Sequence, residues 1–336
     1  MSHRFLASIA APATAVAILS LAPAPVVGQG RSADADWTLP RTADGRPDLQ
    51  GIWSNVAAIP FERPRALGRR ATLTDEEVAK LADRIAAGRI DRPPAKGSAG
   101  NYNKFWSPPG RPSAQSSLII DPPDGRLPPR TPYGQRRADI RAIPRIERLD
   151  TGDYADRDLW ERCMSMGVPR LPGGYNNNIQ IFQTPDHLAI LIEMVHEVRI
   201  IPLDPHPHIT PRIRQYLGDS RGYWDGDTLV VETTNFAYDA HFFDYRDFRG
   251  STGDLHLVER FTRIDATTLN YQFTVTDPTM FTQPWTAVSP MSGDQEGMGA
   301  TVGALFEYAC HEGNYAMDNV LAGAREDERI SSVGLR

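Results

Sequence analysis

One histidine sits among apolar residues in a stretch whose alternation predicts a β-strand. Along one predicted face the side chains are, in order, Ile190, Ile192, Met194, His196, Val198 and Ile200. Since alternate residues of a strand face the same side, His196 is the polar side chain predicted to point into the core. An imidazole there can act as a general acid or base near neutral pH. The alternative is a core histidine that merely hydrogen-bonds to the backbone or to a carboxylate.

Two glutamates occupy comparable positions on other predicted strands. Glu259 lies between two apolar residues of its face, and Glu232 shares its face with Val230 and Phe236. A buried carboxylate needs a charged or hydrogen-bonding partner, and either glutamate can orient an imidazole. We therefore predict His196, Glu259 and Glu232 as catalytic residues. The alternative is that both glutamates face solvent.

Four further side chains are predicted to contact a substrate. Arg199 and Arg260 are cations in the same strands, and a guanidinium binds an anionic or enolate oxygen if a strand irregularity turns it inward. Trp224 and Tyr271 complete the predicted substrate-binding set. These residue types favour isomerisation, elimination or hydration of a small hydrophobic or phenolic molecule.

The sequence motifs give less support to a metal site or a nucleotide-binding site. His206 and His208 can place two imidazoles on one side of a strand, as a metal site requires, and Asp204 is near. No third and fourth ligand follow at a recognisable spacing. The chain has no G-x-G-x-x-G after a strand, no Walker A loop and no C-x-x-C-H. We therefore expect no metal and no cofactor.

Turn signals divide the second half of the chain into hairpins. Strand pairs are predicted over 179–203, 223–236 and 255–276, and a further strand over 304–314. Sequential hairpins are typical of an antiparallel meander, and closure of a meander into a barrel removes its edges. The sequence therefore predicts a mainly β fold built as an antiparallel up-and-down barrel. Gly51-Ile52-Trp53 resembles the G-x-W that opens the first strand of lipocalins, which favours a calycin-like barrel.

The chain divides into three predicted regions. Residues 1–28 have a short basic start followed by an apolar run, which is typical of a secretory signal peptide, with a membrane anchor as the alternative. Residues 29–150 are an extended Pro-rich region that wraps the barrel. This region holds one short helix, 74–87, because Thr74 and Glu77 form a capping box. Residues 151–325 form the barrel domain.

Cysteine content and charge indicate the compartment and the partners. The two cysteines, Cys163 and Cys310, favour one disulfide in an exported protein. Two buried thiols, or a reactive Cys310 beside His311, are the alternatives. A net charge of −6 argues against a nucleic acid or an anionic membrane surface as partner. We expect an exported protein, periplasmic or extracellular, without stable membrane insertion.

Three long motifs are similar to those of exported bacterial proteins that are usually left as hypothetical. They are residues 41–53, 183–204 and 218–233. The resemblance covers most of the chain after residue 28 and implies membership of that uncharacterised family. It implies no activity and no site residue.

Three functions are consistent with these features. The first is an exported barrel enzyme with cofactor-independent acid–base chemistry on a small hydrophobic or phenolic molecule, in which His196→Ala abolishes turnover while folding persists. The second is a periplasmic, lipocalin-like carrier of an apolar ligand. The third is a glycan-binding surface formed by exposed aromatic residues, Trp106, Trp224, Tyr238 and Phe242. The number of ionisable groups on apolar strand faces favours the enzyme.

Overall fold

Antiparallel β-structure dominates the protein. The computed structural model describes residues 37–88, 109–142, 158–173, 175–237, 253–293 and 303–334. The predicted signal peptide, residues 1–28, and the aromatic residues Trp106, Tyr238 and Phe242 lie outside these ranges. The described residues contain ten strands and three helices, so the mainly β class is confirmed and the single predicted helix is too few.

The strands and helices have the following bounds. The strands are β1 Gly51–Ser54, β2 Ile119–Asp121, β3 Asn178–Gln183, β4 His187–Ile192, β5 Glu197–Pro202, β6 Asp219–Asp225, β7 Thr228–Thr234, β8 His256–Arg263, β9 Thr268–Thr276 and β10 Trp285–Ser292. The helices are α1 Asp75–Ala87, α2 Pro132–Ala142 and α3 Ala316–Gly334. Among the described residues, no helix combines the length and apolar character that crossing a bilayer requires.

All ten strands belong to one sheet. Their order is β5-β4-β3-β1-β10-β9-β8-β7-β6, and β2 pairs with β10. Strands that follow each other in the sequence pair antiparallel from β3 to β5 and from β6 to β10, which gives two runs of neighbouring strands. β1 joins the two runs because it pairs with β3 on one side and β10 on the other. The N-terminal region therefore supplies a central strand.

Alternation sets the face that each strand buries. In β9, Leu269, Tyr271, Phe273 and Val275 are almost fully buried, and the residues between them are partly exposed. In β8 the buried residues are Leu257, Glu259 and Phe261. Except for Glu259, these side chains and residues of β3, β4 and β10 form one apolar cluster on the inner face of the sheet. We call the space on this side of the sheet the interior.

The second strand of the hairpin predicted over 179–203 is interrupted. A 3-10 turn, Met194–His196, separates β4 from β5, and Val195 and His196 adopt φ angles of 66° and 42°. Positive φ angles do not fit a continuous strand. The turn also changes which residues face inward. The buried residues are even-numbered in β4 (Leu188, Ile190, Ile192) and odd-numbered in β5 (Arg199, Ile201).

Two other strand predictions differ from the structure. The predicted strand over 304–314 is wrong, because the described residues 303–315 form no strand. β10 was not predicted from the sequence, although it pairs with β9 along its whole length. Its alternation is obscured by three consecutive buried residues, 287–289, and by Pro290, which has no N–H for the ladder.

The predicted capping box of α1 is confirmed. The Thr74 hydroxyl accepts a hydrogen bond from the Glu77 backbone N–H, and the Glu77 carboxylate accepts one from the Thr74 N–H. Arg70 donates two hydrogen bonds to the same carboxylate and lowers the pKa of Glu77 to about 2. α1 buries no residue, so it adds little to the core.

The ends of the sheet meet without backbone pairing. β5 and β6 are the terminal strands, and the described residues show no ladder between them, so a closed barrel is not shown. Some Cα atoms of the two strands are nevertheless within 8 Å of each other. A Cβ added to Gly222 of β6 would lie 2.6 Å from Leu203 Cδ2 and 3.1 Å from Ile201 Cγ2. Side chains therefore fill the seam between these strands.

Gly222→Val is expected to lower the free energy of unfolding by about 1–3 kcal/mol, because its side chain would overlap Leu203 and Ile201 at the seam. Urea unfolding followed by tryptophan fluorescence measures the change. Gly323→Ala in α3 is the control, since an added Cβ there meets no atom within 4 Å, and its stability should be unchanged or slightly higher. Equal stability of the Gly222 variant and the wild type would contradict a packed seam.

The disulfide prediction is confirmed. Cys163 and Cys310 are bonded across a sequence separation of 147 residues. The bond ties the segment before β3 to the segment before α3. A disulfide of this kind indicates an oxidising location outside the cytoplasm.

Candidate functional site

Three of the predicted site residues meet inside the sheet. Arg199 Nη1 lies 2.6 Å from Glu259 Oε2, and both side chains are at least 95% buried. This contact is an ion pair and not a hydrogen bond, because the N–H groups of Arg199 do not point at Glu259 Oε2. The Tyr271 hydroxyl donates a hydrogen bond of 2.7 Å to Glu259 Oε1. We call Arg199, Glu259 and Tyr271 the Glu259 cluster.

Arg199 points inward because of the turn before β5. Regular alternation from β4 would have placed it on the outer face, and the 3-10 turn at Met194–His196 reverses that phase. Its Nε donates to Ser220 Oγ at 3.0 Å, and its Nη2 donates to Thr233 Oγ1 at 2.6 Å. Since Ser220 is on β6, these bonds cross the seam between the terminal strands.

The cluster borders a small cavity. Its volume is about 20 Å³, which is room for one water molecule. Apolar side chains from both halves of the sheet form much of its wall, including Ile190 of β4 and Met291 of β10. Val168 and Arg170, from the segment before β3, also border it. The interior is thus largely filled, and the polar side chains at this cavity are Arg170 and the three residues of the Glu259 cluster.

Tyr271 is held in its protonated form. Burial raises the pKa of its hydroxyl well above the usual value, and the nearby Glu259 carboxylate adds to the shift. The hydroxyl therefore remains a hydrogen-bond donor to Glu259, and it accepts a bond of 3.3 Å from the Arg170 backbone N–H. The Tyr271 oxygen, as an acceptor, and Arg199, as a donor, can together bind one hydroxyl or carbonyl group of a small molecule.

A second buried polar network adjoins the cluster. Arg170 Nη2 donates to Asn177 Oδ1 at 2.7 Å, and Asn177 Nδ2 donates to the Leu171 carbonyl at 3.2 Å. Asn55 Nδ2 donates to the Arg170 carbonyl at 3.2 Å, and Ser289 Oγ donates to Asn55 Oδ1 at 3.0 Å. These bonds fix residues 170–171 to the residue before β3 and to the residue after β1, which is bonded to β10, so this network positions the cavity wall.

Glu197 is a further carboxyl beside this site. It accepts hydrogen bonds from the Ser165 hydroxyl and the Met166 N–H. Burial raises its pKa, while these bonds and the charges of Arg170 and Arg199 oppose the shift. Because the folded protein holds this proton more tightly than the unfolded chain, Glu197 favours folding at low pH and loses that effect as pH rises above about 4.5.

Glu197→Gln is therefore expected to gain stability relative to the wild type as pH increases from about 4 to 8. The amide still accepts a hydrogen bond but never carries the buried charge. Urea midpoints of both proteins at several pH values measure the difference. Glu76→Gln, at an exposed position of α1, is the control for replacing a carboxylate with an amide. A pH-independent difference for the Glu197 variant would contradict a raised pKa.

The inward orientation predicted for His196 is wrong. Its side chain is exposed, and Nδ1 donates to the Tyr308 carbonyl at 3.0 Å. The positive φ of His196 within the 3-10 turn moves the ring out of the strand alternation. His196 therefore cannot act as a base in the interior from this position.

The remaining predicted residues lie away from the cluster. Glu232 is partly exposed on the outer face, where it accepts from the Tyr223 hydroxyl at 3.2 Å and lies 3.8 Å from His256 Nε2. Arg260 is also on the outer face and pairs with Asp225 at 2.7 Å. Trp224 is partly buried against the main apolar cluster. None of these side chains borders the interior cavity.

The two histidines considered for a metal have separate carboxylate partners. His206 Nδ1 lies 3.0 Å from Asp204, and His208 Nδ1 lies 2.8 Å from Asp219. Within the described ranges, no three His, Cys, Asp or Glu side chains converge to hold a metal ion.

Several residues at the site were not predicted from the sequence. Arg170 borders the cavity, and Glu197 lies near the charges of Arg170 and Arg199. Ser220 and Thr233 accept hydrogen bonds from Arg199. Arg170 lies outside any regular element, so alternation carries no signal for it. Ser220 and Thr233 lie in predicted hairpin segments, but small polar residues are common on both faces of a strand. A signal for Thr233 was available, because it shares a strand face with Leu229 and Val231, and all three are buried.

Searches for relatives give no identification. Family models, curated proteins and solved structures contain no match to this chain.

Proposed function

We propose that the protein binds a small, mostly apolar molecule carrying one hydroxyl or carbonyl group, and transports it without changing it. The observation that carries this proposal is the Glu259 cluster at the wall of an otherwise largely apolar interior. A few fixed polar groups within an apolar site are typical of small-molecule binding sites. The exposed position of His196 removes the predicted base, which favours a carrier over an enzyme.

The carrier proposal includes a barrel-like shape of calycin type. Residues of β3, β4 and β5 and residues of β8, β9 and β10 border the same cavity, as they would in a curved sheet. Arg199 bridges the seam to Ser220, and Gly222 lets Leu203 and Ile201 approach β6. We propose that side chains, instead of a backbone ladder, close this barrel.

The cavity is too small for a phenol-sized ligand unless side chains of its wall move. A volume of about 20 Å³ holds one water molecule, so a phenol-sized ligand must displace wall side chains. Met291 is an unbranched, adaptable side chain at the wall. Val168 belongs to a segment without regular secondary structure. These two residues are the proposed points of displacement.

Phenol and toluene test the polar anchor, because they differ by one hydroxyl group. We expect the wild type to bind phenol more tightly than toluene, as measured by tryptophan fluorescence titration. In Tyr271→Phe the preference for phenol should fall roughly two- to tenfold, the value of one hydrogen bond. Tyr223→Phe is the matched control, because Tyr223 is on the outer face and bonds to Glu232. Circular dichroism verifies that each variant is folded.

Two results would count against this proposal. One is the absence of saturable binding of either molecule at millimolar concentration. The other is an equal loss of phenol preference in Tyr271→Phe and Tyr223→Phe. Native mass spectrometry of the purified protein gives independent support if a small molecule is retained.

A second candidate function is the cofactor-independent acid–base enzyme. The observation that favours it is the 2.7 Å hydrogen bond from Tyr271 to Glu259, which joins a proton donor to a carboxylate at the cavity. Isomerisation, elimination or hydration of a small hydrophobic or phenolic molecule would use this pair. Conversion of a candidate substrate that is lost in Tyr271→Phe and kept in Tyr223→Phe would favour the enzyme over the carrier.

We also propose that the chain is exported and that residues 1–28 are removed. The disulfide supports an oxidising compartment. Mass spectrometry of the protein from a periplasmic or extracellular fraction should give an N-terminus near residue 29. Recovery of chains that retain residues 1–28, with both cysteines reduced, would contradict export.

A further inference from the structure

A buried segment without regular secondary structure covers one end of the interior. Residues 158–170 contain no strand or α-helix, yet many of their side chains are at most 8% exposed. Val168 and Arg170 border the cavity. Ser165 and Met166 bond to Glu197, at the start of β5. The segment thus lies between the Glu259 cluster and the outside.

The end of this segment nearest β3 is firmly attached. The carbonyl groups of Arg170 and Leu171 accept hydrogen bonds from Asn55 and Asn177. Asn55 is fully buried and also bonds to Ser289. Residues 170–171 are therefore anchored to the sheet and can serve as a hinge.

The outer side of the segment is covered by residues 303–315. Cys163 is bonded to Cys310, and Cys163 and Met166 form a small apolar cluster with Met194 and Val195. Tyr308 packs against that cluster and accepts the hydrogen bond from His196. The disulfide makes the two segments one covalent unit.

Residues 303–315 are weakly held by their backbone. Apart from the bond from the His196 side chain to the Tyr308 carbonyl, the hydrogen bonds described for their backbone join residues of this segment to each other or to the start of α3. Phe306 and Tyr315 are 72% and 73% exposed. Few backbone bonds and high exposure characterise regions that open locally while the remaining fold stays intact.

We propose that residues 158–168 and 303–315 form one lid over the interior, hinged at Arg170–Leu171 and held together by the Cys163–Cys310 disulfide. Opening of the lid moves Val168 away from the cavity and admits the ligand. This inference rests on the proposed ligand-binding function. It also explains how a cavity of about 20 Å³ accommodates a larger molecule.

Hydrogen–deuterium exchange tests the lid without any ligand. In the double variant Cys163→Ser/Cys310→Ser, exchange in 158–168 and 303–315 should rise at least about tenfold, while β8 and β9 remain protected. Folded wild-type protein treated with dithiothreitol gives the same test if the variant fails to fold. That reaction converts the disulfide to two thiols and dithiothreitol to its cyclic disulfide. A uniform rise across all strands would overturn the lid, because the disulfide would then stabilise the whole fold.

Phenol entry tests the consequence for binding. Stopped-flow tryptophan fluorescence should show faster association of phenol, by about tenfold, when the disulfide is absent. Equal association rates with and without the disulfide would overturn the lid while leaving ligand binding intact. A failure of phenol to bind either form would overturn the proposed function, and hydrogen exchange would still decide whether the segments open together.

Discussion

Replacing Glu259 with alanine is expected to lower the free energy of unfolding by about 3–5 kcal/mol. The variant would leave the Arg199 guanidinium 95% buried without its carboxylate partner. It would also remove the acceptor of the Tyr271 hydroxyl bond. Such a loss exceeds that of a surface ion pair because a buried charge has no water to replace its partner. Urea unfolding followed by circular dichroism measures it.

Two comparisons isolate the cause of that loss. Glu232→Ala changes a glutamate on the outer face and should cost at most about 1 kcal/mol. The double variant Arg199→Met/Glu259→Leu removes both charges and should recover most of the lost stability, since apolar replacement of a buried pair is often neutral. A Glu259→Ala variant no less stable than Glu232→Ala would show that the cluster is hydrated and weakly coupled.

Replacing Trp53 with alanine is expected to cost about 3–5 kcal/mol, as for other buried tryptophans. Trp53 is 2% exposed, and its Nε1 donates to the Leu49 carbonyl at 2.9 Å. The Arg263 guanidinium lies 5.4 Å from the ring centroid. Because β1 joins the two runs of strands, the cavity left by the ring would weaken the middle of the sheet. Differential scanning calorimetry measures the fall in Tm.

Trp53→Phe is the matched comparison for this second prediction. It keeps an aromatic ring but removes the donor to Leu49, so its cost should be well below that of the alanine variant. Arg263→Met removes the charge above the ring and tests the cation–π contact, worth about 0.5–1 kcal/mol at a partly exposed site. Equal Tm values for Trp53→Ala and Trp53→Phe would contradict the central packing role of the ring.

The sequence predicted the features that depend on local chemistry. The capping residues Thr74 and Glu77 specify the start of α1, because they satisfy each other's backbone groups. Alternation in β8 correctly identified Glu259 as an inward carboxylate. The pairing of Cys163 with Cys310 was predictable because the chain has only two cysteines.

Alternation failed where the backbone departs from a continuous strand. The two positive φ angles at Val195 and His196 exchange the inward and outward positions that follow. His196 consequently faces outward and Arg199 faces inward. The sequence allows a strand irregularity that turns Arg199 inward, but the position of this irregularity cannot be derived from residue types, since valine and histidine seldom adopt such angles.

The sequence by itself determined the antiparallel hairpins, the capped helix, the disulfide and one buried carboxylate. The hairpins, the helix and the carboxylate follow from patterns among residues that are close along the chain. The disulfide follows because two cysteines can form only one pair. The tertiary structure decided that β1 bridges the two runs of strands, that Arg199 reaches Glu259 and that Val168 and Arg170 border the cavity. Those contacts join distant segments, and their free energy depends on packing and desolvation in the folded interior, which no local pattern encodes.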